Sequence, residues 1–150
     1  MIGRPISQWL FPLALLYGAG DLFAAEYVSV KVSNAILYDA PSVKAKKLFV
    51  VNRYMPLEQV VVLDSWVKVR DKSGSLYWVE KKALSSTRYV FALLPLVDIL
   101  SQPEASATRA FQVRQQIALE FLEATGTGWI KVRHLDGEVG YVRSAEVWGS

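Results

Sequence analysis

Trp66-Val-Lys-Val-Arg70 returns as Trp129-Ile-Lys-Val-Arg133, an offset of 63 residues. At the same offset Asp71-Lys-Ser-Gly-Ser-Leu-Tyr-Trp-Val79 aligns with His134-Leu-Asp-Gly-Glu-Val-Gly-Tyr-Val142, and Leu84 with Val147. Upstream the match persists with a one-residue slip, Ala35-Ile-Leu-Tyr-Asp-Ala-Pro41 against Val97-Asp-Ile-Leu-Ser-Gln-Pro103. Self-similarity at a fixed spacing marks repeated structural units. The chain after residue 26 therefore reads as two units, 27–86 and 88–149.

Within the pentad, side chains alternate between two faces of an extended strand. Val67 and Val69 share one face; Trp66, Lys68 and Arg70 share the other. Val60-Val-Val-Leu63 and Tyr77-Trp-Val79 are further short runs of β-branched and aromatic residues, the composition of strands. Tyr27 to Val32 and Tyr89 to Leu94 read as the entering strands. Turn residues separate the runs: Asp64-Ser65, Lys72-Ser-Gly74, Thr125-Gly-Thr-Gly128, and Asp136-Gly137 as a hairpin signal. Gln112 to Glu123 is rich in helix formers, but its counterpart, Met55 to Leu63, is strand-like, and the repeat decides for β. The expected fold class is all-β, two consecutive small, nearly closed barrels after an N-terminal signal segment, since closure removes sticky sheet edges. A sixty-residue unit buries only about 60% of its unfolded surface. Two such units gain by packing together, and the short junction Ser85-Ser-Thr87 favours a rigid pair.

Pro41, Pro56-Leu57, the Trp66 pentad, Gly74, Trp78-Val79 and Leu84 follow one another in an order that resembles the bacterial SH3 (Src homology 3-like) domain family. Trp129 to Arg133, Gly137, Gly140-Tyr-Val142 and Val147 repeat it. The resemblance covers nearly all of 27–149. Departures are Ala35 to Tyr38 and Leu96 to Ile99 in place of the family's leucine-asparagine-valine-arginine segment, Leu76-Tyr77 in place of a glycine before Trp78, and Tyr141 in place of a second tryptophan. The resemblance implies a non-catalytic module that binds cell-wall peptides or partner proteins, often beside a peptidoglycan hydrolase domain.

Composition narrows the chemistry. The chain has 150 residues, of which 52% are apolar and 21% charged, and no cysteine. Disulfides, zinc thiolates and a cysteine nucleophile are thereby excluded. One histidine, His134, cannot build a multi-histidine metal centre, and its alignment with Asp71 makes it a turn residue. Glu120 with Glu123, and Asp136 with Glu138, have the spacing of paired carboxylates, but no nucleophile, metal ligands or phosphate loop accompanies them. No enzyme activity, cofactor or metal is expected. Met1 to Ala25 has Arg4, then the apolar run Trp9 to Tyr17, then small residues, the order of a secretory signal peptide. Asp21 interrupts the run too early for a span of about 20 residues. The alternatives are an uncleaved anchor or a core helix. Export predicts a periplasmic or secreted location, with membrane contact only through that segment before cleavage, and no nucleic-acid partner.

Tyr38, Trp66 and Trp78, with Lys68 beside them, form the candidate ligand-binding cluster of the first unit; Trp129 and Tyr141 are its counterpart. Tryptophan offers apolar area and one N–H donor, which suits a groove wall, and aromatic grooves grip extended peptides. The competing reading gives the tryptophans a structural role, capping the barrel core. Residues 27–87 carry ten Lys/Arg against five Asp/Glu, while 88–150 carry six against seven. Lys44, Lys46 and Lys47, with Arg53 nearby, make either an anion-attracting patch or a solvated loop. The expected partner is peptidoglycan peptide or an envelope protein. The alternative function is a structural or assembly adaptor whose two barrels pack together without a ligand groove.

Overall fold

The computed structural model describes Gly3 and residues 25–150. The expected export segment, 1–25, lies outside the described residues apart from Gly3 and Ala25. The first unit comprises β1 (Glu26–Val30), β2 (Asn34–Tyr38), β3 (Lys47–Asn52), β4 (Pro56–Val62), β5 (Trp66–Arg70), β6 (Leu76–Glu80) and β7 (Leu84–Ser85). The second comprises β8 (Tyr89–Ala92), β9 (Leu96–Leu100), β10 (Arg109–Arg114), β11 (Ala118–Ala124), β12 (Trp129–Arg133), β13 (Val139–Arg143) and β14 (Val147–Trp148). Their sheets have the orders β3-β2-β6-β5-β4-β1-β7 and β10-β9-β13-β12-β11-β8-β14. These are one topology used twice, so the sequence repeat is a structural repeat. A single 3-10 turn, Lys81–Ala83 or Ser144–Glu146, precedes each closing strand.

The alternation read from the pentads decides what lies inside. Val67 and Val69 are buried with Val30, Leu37, Leu57 and Val79. Ile130 and Val132 join Val90, Ile99, Leu119 and Val142 in a second core. Each core is a layer of β-branched and leucine side chains on the concave face of one bent sheet, and removing that apolar surface from water is the main stabilising term. Both long strands carry a register shift at matching places, Gln59/Val61 in β4 and Phe121/Glu123 in β11. An extra residue there sharpens the twist that curls the sheet.

The one-residue slip has a location. Leu63 to Ser65 joins β4 to β5, whereas Thr125 to Gly128, one residue longer, joins β11 to β12. Elements before this hairpin correspond with one offset and elements after it with another. Gln112 to Glu123 is strand, turn and strand, not helix. Val113 and Leu119 are buried there, and tertiary packing overrides local propensity. The entering strands are shorter than the apolar runs that suggested them, because Lys31 and Leu93 donate instead to the 3-10 turns, at Ala83 O and Glu146 O.

Gly140 shows why one family glycine is retained. A Cβ at this position would sit 2.6 Å from Ile99 Cγ2 and 2.8 Å from the Leu100 carbonyl. The backbone of β13 therefore lies directly against β9. In the first unit Tyr77 occupies the corresponding place, half-buried, with Phe49 of β3 packed edge-to-face on its ring at 5.5 Å.

The two units touch through aromatic residues at their shared junction. Tyr27 of β1 packs edge-to-face on Trp148 of β14, centroids 5.4 Å apart. Tyr89 of β8 packs on Tyr54 at 4.6 Å. Ser29, buried in β1, donates its hydroxyl to the Thr87 carbonyl at 2.6 Å. Gly149 fits only as glycine, since a Cβ would meet the Tyr89 carbonyl at 2.7 Å and Pro56 Cβ at 2.8 Å. Arg88 lies over the rings of Phe121 and Tyr27 and donates to the Gly149 carbonyl; its Nε has no hydrogen-bond partner among the described residues. Burial raises the phenol pKa of Tyr27, with Glu58 adding to the effect. It raises that of Tyr89 as well, with Glu120 and then Tyr54 adding.

Candidate functional site

The outward faces of β5, β6 and β2 bring the sequence-predicted residues of the first unit together. Lys68 pairs in register with Trp78, and Trp78 with Tyr38. A register shift between Leu37 and Tyr38 follows Leu37 in the core and leaves Tyr38 beside the tryptophans. Tyr38 packs edge-to-face against Trp66, centroids 5.2 Å apart and planes at 85°. In that geometry a positive ring edge meets a negative ring face. The Lys68 ammonium lies 6.0 Å from the Trp78 ring centroid, at the limit of cation–π attraction.

Exposure grades the cluster. Tyr38 is 4% exposed, so its ring is a support and the half-buried Trp66 and Trp78 present the accessible surface. Arg70, outward on the same strand, turns away: its Nη1 meets both Glu58 carboxylate oxygens at 3.0 and 2.9 Å. Glu80, opposite Trp66, is held by Lys82 at 3.1 Å. Lys68 is left as the cation beside the rings, without an ion-pair partner among the described residues. The arrangement can stack apolar or sugar-ring faces on two indoles, offer them N–H donors, and place one ammonium near a carbonyl or carboxylate.

The second unit builds a different surface from matching positions. Leu100 stands where Tyr38 stands, pairing in register with Tyr141. Trp129 is 7% exposed, its ring covered by the Arg143 guanidinium at 4.7 Å. The residue corresponding to Arg143 is Glu80, which covers nothing in this way. Tyr141 is half-buried beside Lys131. Trp129 lines a cleft of about 380 Å³ with Arg88, Phe121 and Ser144. The aromatic positions thus separate into an open pair in the first unit and a covered ring in the second.

The lysine cluster is solvated. Lys44, Lys46 and Lys47 are exposed, and the backbone N–H of Lys46 donates to Asp39 Oδ1 at 3.0 Å, tying the loop to its base. His134 is a turn residue in the structure too: its carbonyl accepts from Gly137 N–H at 2.9 Å, and its Nδ1 lies 2.9 Å from Asp136. Backbone N–H donation from Glu138 holds the Asp136 carboxyl below its ordinary pKa; desolvation works against this, while the contact with His134 adds to it. Among the described residues no group of His, Asp and Glu side chains is arranged to hold a metal ion. No described helix is long and apolar enough to cross a membrane. Arg53, beside the lysine loop in sequence, and Lys72, a turn residue, line a cleft between the units together with Tyr54, which nothing in the sequence singles out.

No curated protein matches the chain. Its structure is similar to that of NlpC1 from Trichomonas vaginalis, at 12% identity and a TM-score of 0.40, over 93% of this chain and 51% of that one. It is also similar to an NlpC/P60 family protein from Bacillus cereus, at 15% identity and a TM-score of 0.38, over 81% and 55%. The chain spans about half the length of these structures. The family model for the bacterial SH3 domain matches twice, over residues 31–86 and 95–149. Those segments cover both pentads and every strand of the two sheets except the entering ones. The chain belongs to the bacterial SH3 domain family, which it carries as two consecutive copies.

Proposed function

We propose that this chain is a non-catalytic binding module of the bacterial cell envelope. It engages an extended cell-wall peptide, or a protein segment of similar shape, through the outward face of Trp66, Trp78 and Lys68. In this reading 1–25 is an export signal, 27–86 and 88–149 are the two barrels, and the first barrel carries the contact. One observation carries it: Tyr38 props Trp66 at 85° beside Trp78 on a sheet whose other face is already filled by core. Rings that only capped the core would be covered, as Trp129 is by Arg143. Two indoles held at a fixed angle give contact area at low entropic cost. Membership of a family of binding modules supports the same reading.

A second reading, an assembly adaptor, is favoured by the aromatic junction of Tyr27, Trp148, Tyr54 and Tyr89. Co-sedimentation with purified sacculi, run beside capture from envelope lysate, separates the two. Retention on sacculi that is lost in Trp78→Ala supports the binding module. Protein partners without retention favour the adaptor, and retention unchanged in both Trp66→Ala and Trp78→Ala removes the aromatic face from the account.

A further inference from the structure

A large cleft lies away from the aromatic face. It has a volume of about 580 Å³ and is lined by both barrels: the β3–β4 turn and Lys72 from the first, the β10–β11 turn, Phe91 and the His134-Leu135 turn from the second. That volume falls within the range of about 300–1,000 Å³ usual for ligand clefts. Its apolar walls stand open to water, with Val50 65%, Leu135 55% and Ile117 38% exposed. Its charge has one sign. Arg53 and Lys72 line it and no carboxylate does. Among the described residues neither has an ion-pair partner. The nearest acid in sequence, Asp71, is occupied within its own turn, its Oδ1 accepting from Ser73 and Ser75 N–H. His134 is turned to its own loop, its Nδ1 lying 2.9 Å from Asp136.

The backbone singles out the same place. Among the described residues two non-glycine residues have positive φ, Tyr54 at 71° and Gln116 at 64°, and both line this cleft. They occupy matching positions in the two repeats and are held alike, Tyr54 N–H donating to the Val30 carbonyl and Gln116 N–H to the Ala92 carbonyl. A left-handed turn is cheapest with glycine. Holding a side chain in that conformation costs free energy and is a mark of functional sites.

We propose that the cleft between the barrels binds a short peptide through its free C-terminal carboxylate, Arg53 and Lys72 taking the carboxylate and the Val50, Ile117 and Leu135 walls taking small aliphatic side chains. A polyanion would need a longer track of cations than two; a single carboxylate at the end of an apolar chain matches two cations in a mainly apolar cleft. The site is separate from the Trp66 face and stands if that face binds nothing.

The test is a titration of the isotope-labelled full chain, followed by backbone amide shifts. The probe is N-acetyl-Ala-Leu-Ala with a free carboxylate, compared with the same peptide as its C-terminal amide. The free acid is expected to shift Tyr54 and Gln116, so residues of both barrels respond together, and to bind about tenfold more tightly than the amide, the scale of one charge-assisted contact. Arg53→Gln and Lys72→Gln, at exposed positions, are each expected to weaken the acid about fivefold to tenfold while leaving the amide unchanged. Equal binding of acid and amide, shifts confined to the Trp66 face, or no binding at millimolar peptide overturns the proposal. So does inorganic phosphate that displaces the peptide at equal concentration, which would give the cleft to a phosphate-bearing ligand.

Discussion

Trp66→Ala and Trp129→Ala are the same substitution at matching positions, and the structure separates their consequences. Truncating a buried aromatic residue costs about 3–5 kcal/mol, transfer and cavity effects together. Trp129 is 7% exposed and covered by Arg143, so its loss should cost about 4 kcal/mol. Trp66 is half-buried and its main aromatic contact is the edge-to-face pair with Tyr38, worth about 0.5–1.5 kcal/mol beyond area. With part of its ring already in water, about 2 kcal/mol is expected. For small domains each kcal/mol moves Tm by about 4–8 °C, so Trp66→Ala should lower Tm by about 10 °C and Trp129→Ala by about twice that. Sacculus retention should run in the opposite order, falling at least about tenfold in Trp66→Ala and little in any folded Trp129→Phe. The assay is thermal melting followed by circular dichroism, with co-sedimentation at a temperature where each variant is folded. Equal loss of stability at both positions, with retention intact in Trp66→Ala, would make Trp66 a core cap and refute the reasoning.

Gly140→Ala should destabilise the second barrel by about 2 kcal/mol, a strain typical of overpacking, because its Cβ would meet Ile99 and the Leu100 backbone; a melt unchanged within about 0.5 kcal/mol would contradict that close approach. Tyr27 and Tyr89 have pKa values raised above 10.0 in the folded chain. Folding therefore holds their protons more tightly, and their contribution, fully present below pH 10, is lost as pH rises through the folded values. The fall of Tm above pH 10 should be shallower in a Tyr27→Phe, Tyr89→Phe double variant than in the natural chain, and identical slopes would remove the phenols from the effect. Arg70→Gln should cost no more than about 1 kcal/mol by urea titration, since the pair with Glu58 is partly exposed, at 41% and 21%, and such pairs are worth little.

The strands were legible where side-chain period and burial agree. Val67 and Val69 against Trp66, Lys68 and Arg70 mark a two-faced strand without reference to any neighbour, and the repeat carried that reading to Ile130 and Val132. It also carried it into Gln112 to Glu123, where local propensity alone points to a helix. The slip between repeats was visible as an offset, but its placement in the β4–β5 hairpin required strand boundaries. The meeting of Tyr38 with Trp66 and Trp78 could be guessed from the family order of strands; that Tyr38 is a covered support could not, because it depends on how closely Trp66 packs on its ring. Trp129 looked equivalent to Trp66 from its pentad, and the difference lies in a residue across the hairpin, Arg143 in place of Glu80. The cleft left no signal in the sequence. It exists through the placement of one barrel on the other, and Tyr54 and Gln116 are not residues that announce a left-handed turn.

The most direct measurement uses the side-chain N–H of each tryptophan as a reporter. Among the described tryptophans, Trp66 and Trp78 face outward and half-buried, Trp129 lies under Arg143, and Trp148 packs on Tyr27. A soluble muropeptide added to the labelled chain should shift the indole resonances of Trp66 and Trp78, leave those of Trp129 and Trp148 in place, and lose the Trp66 shift in Trp78→Ala. Indole resonances of Trp66 and Trp78 that stay fixed while the muropeptide binds elsewhere would contradict the claim that this face is the binding surface.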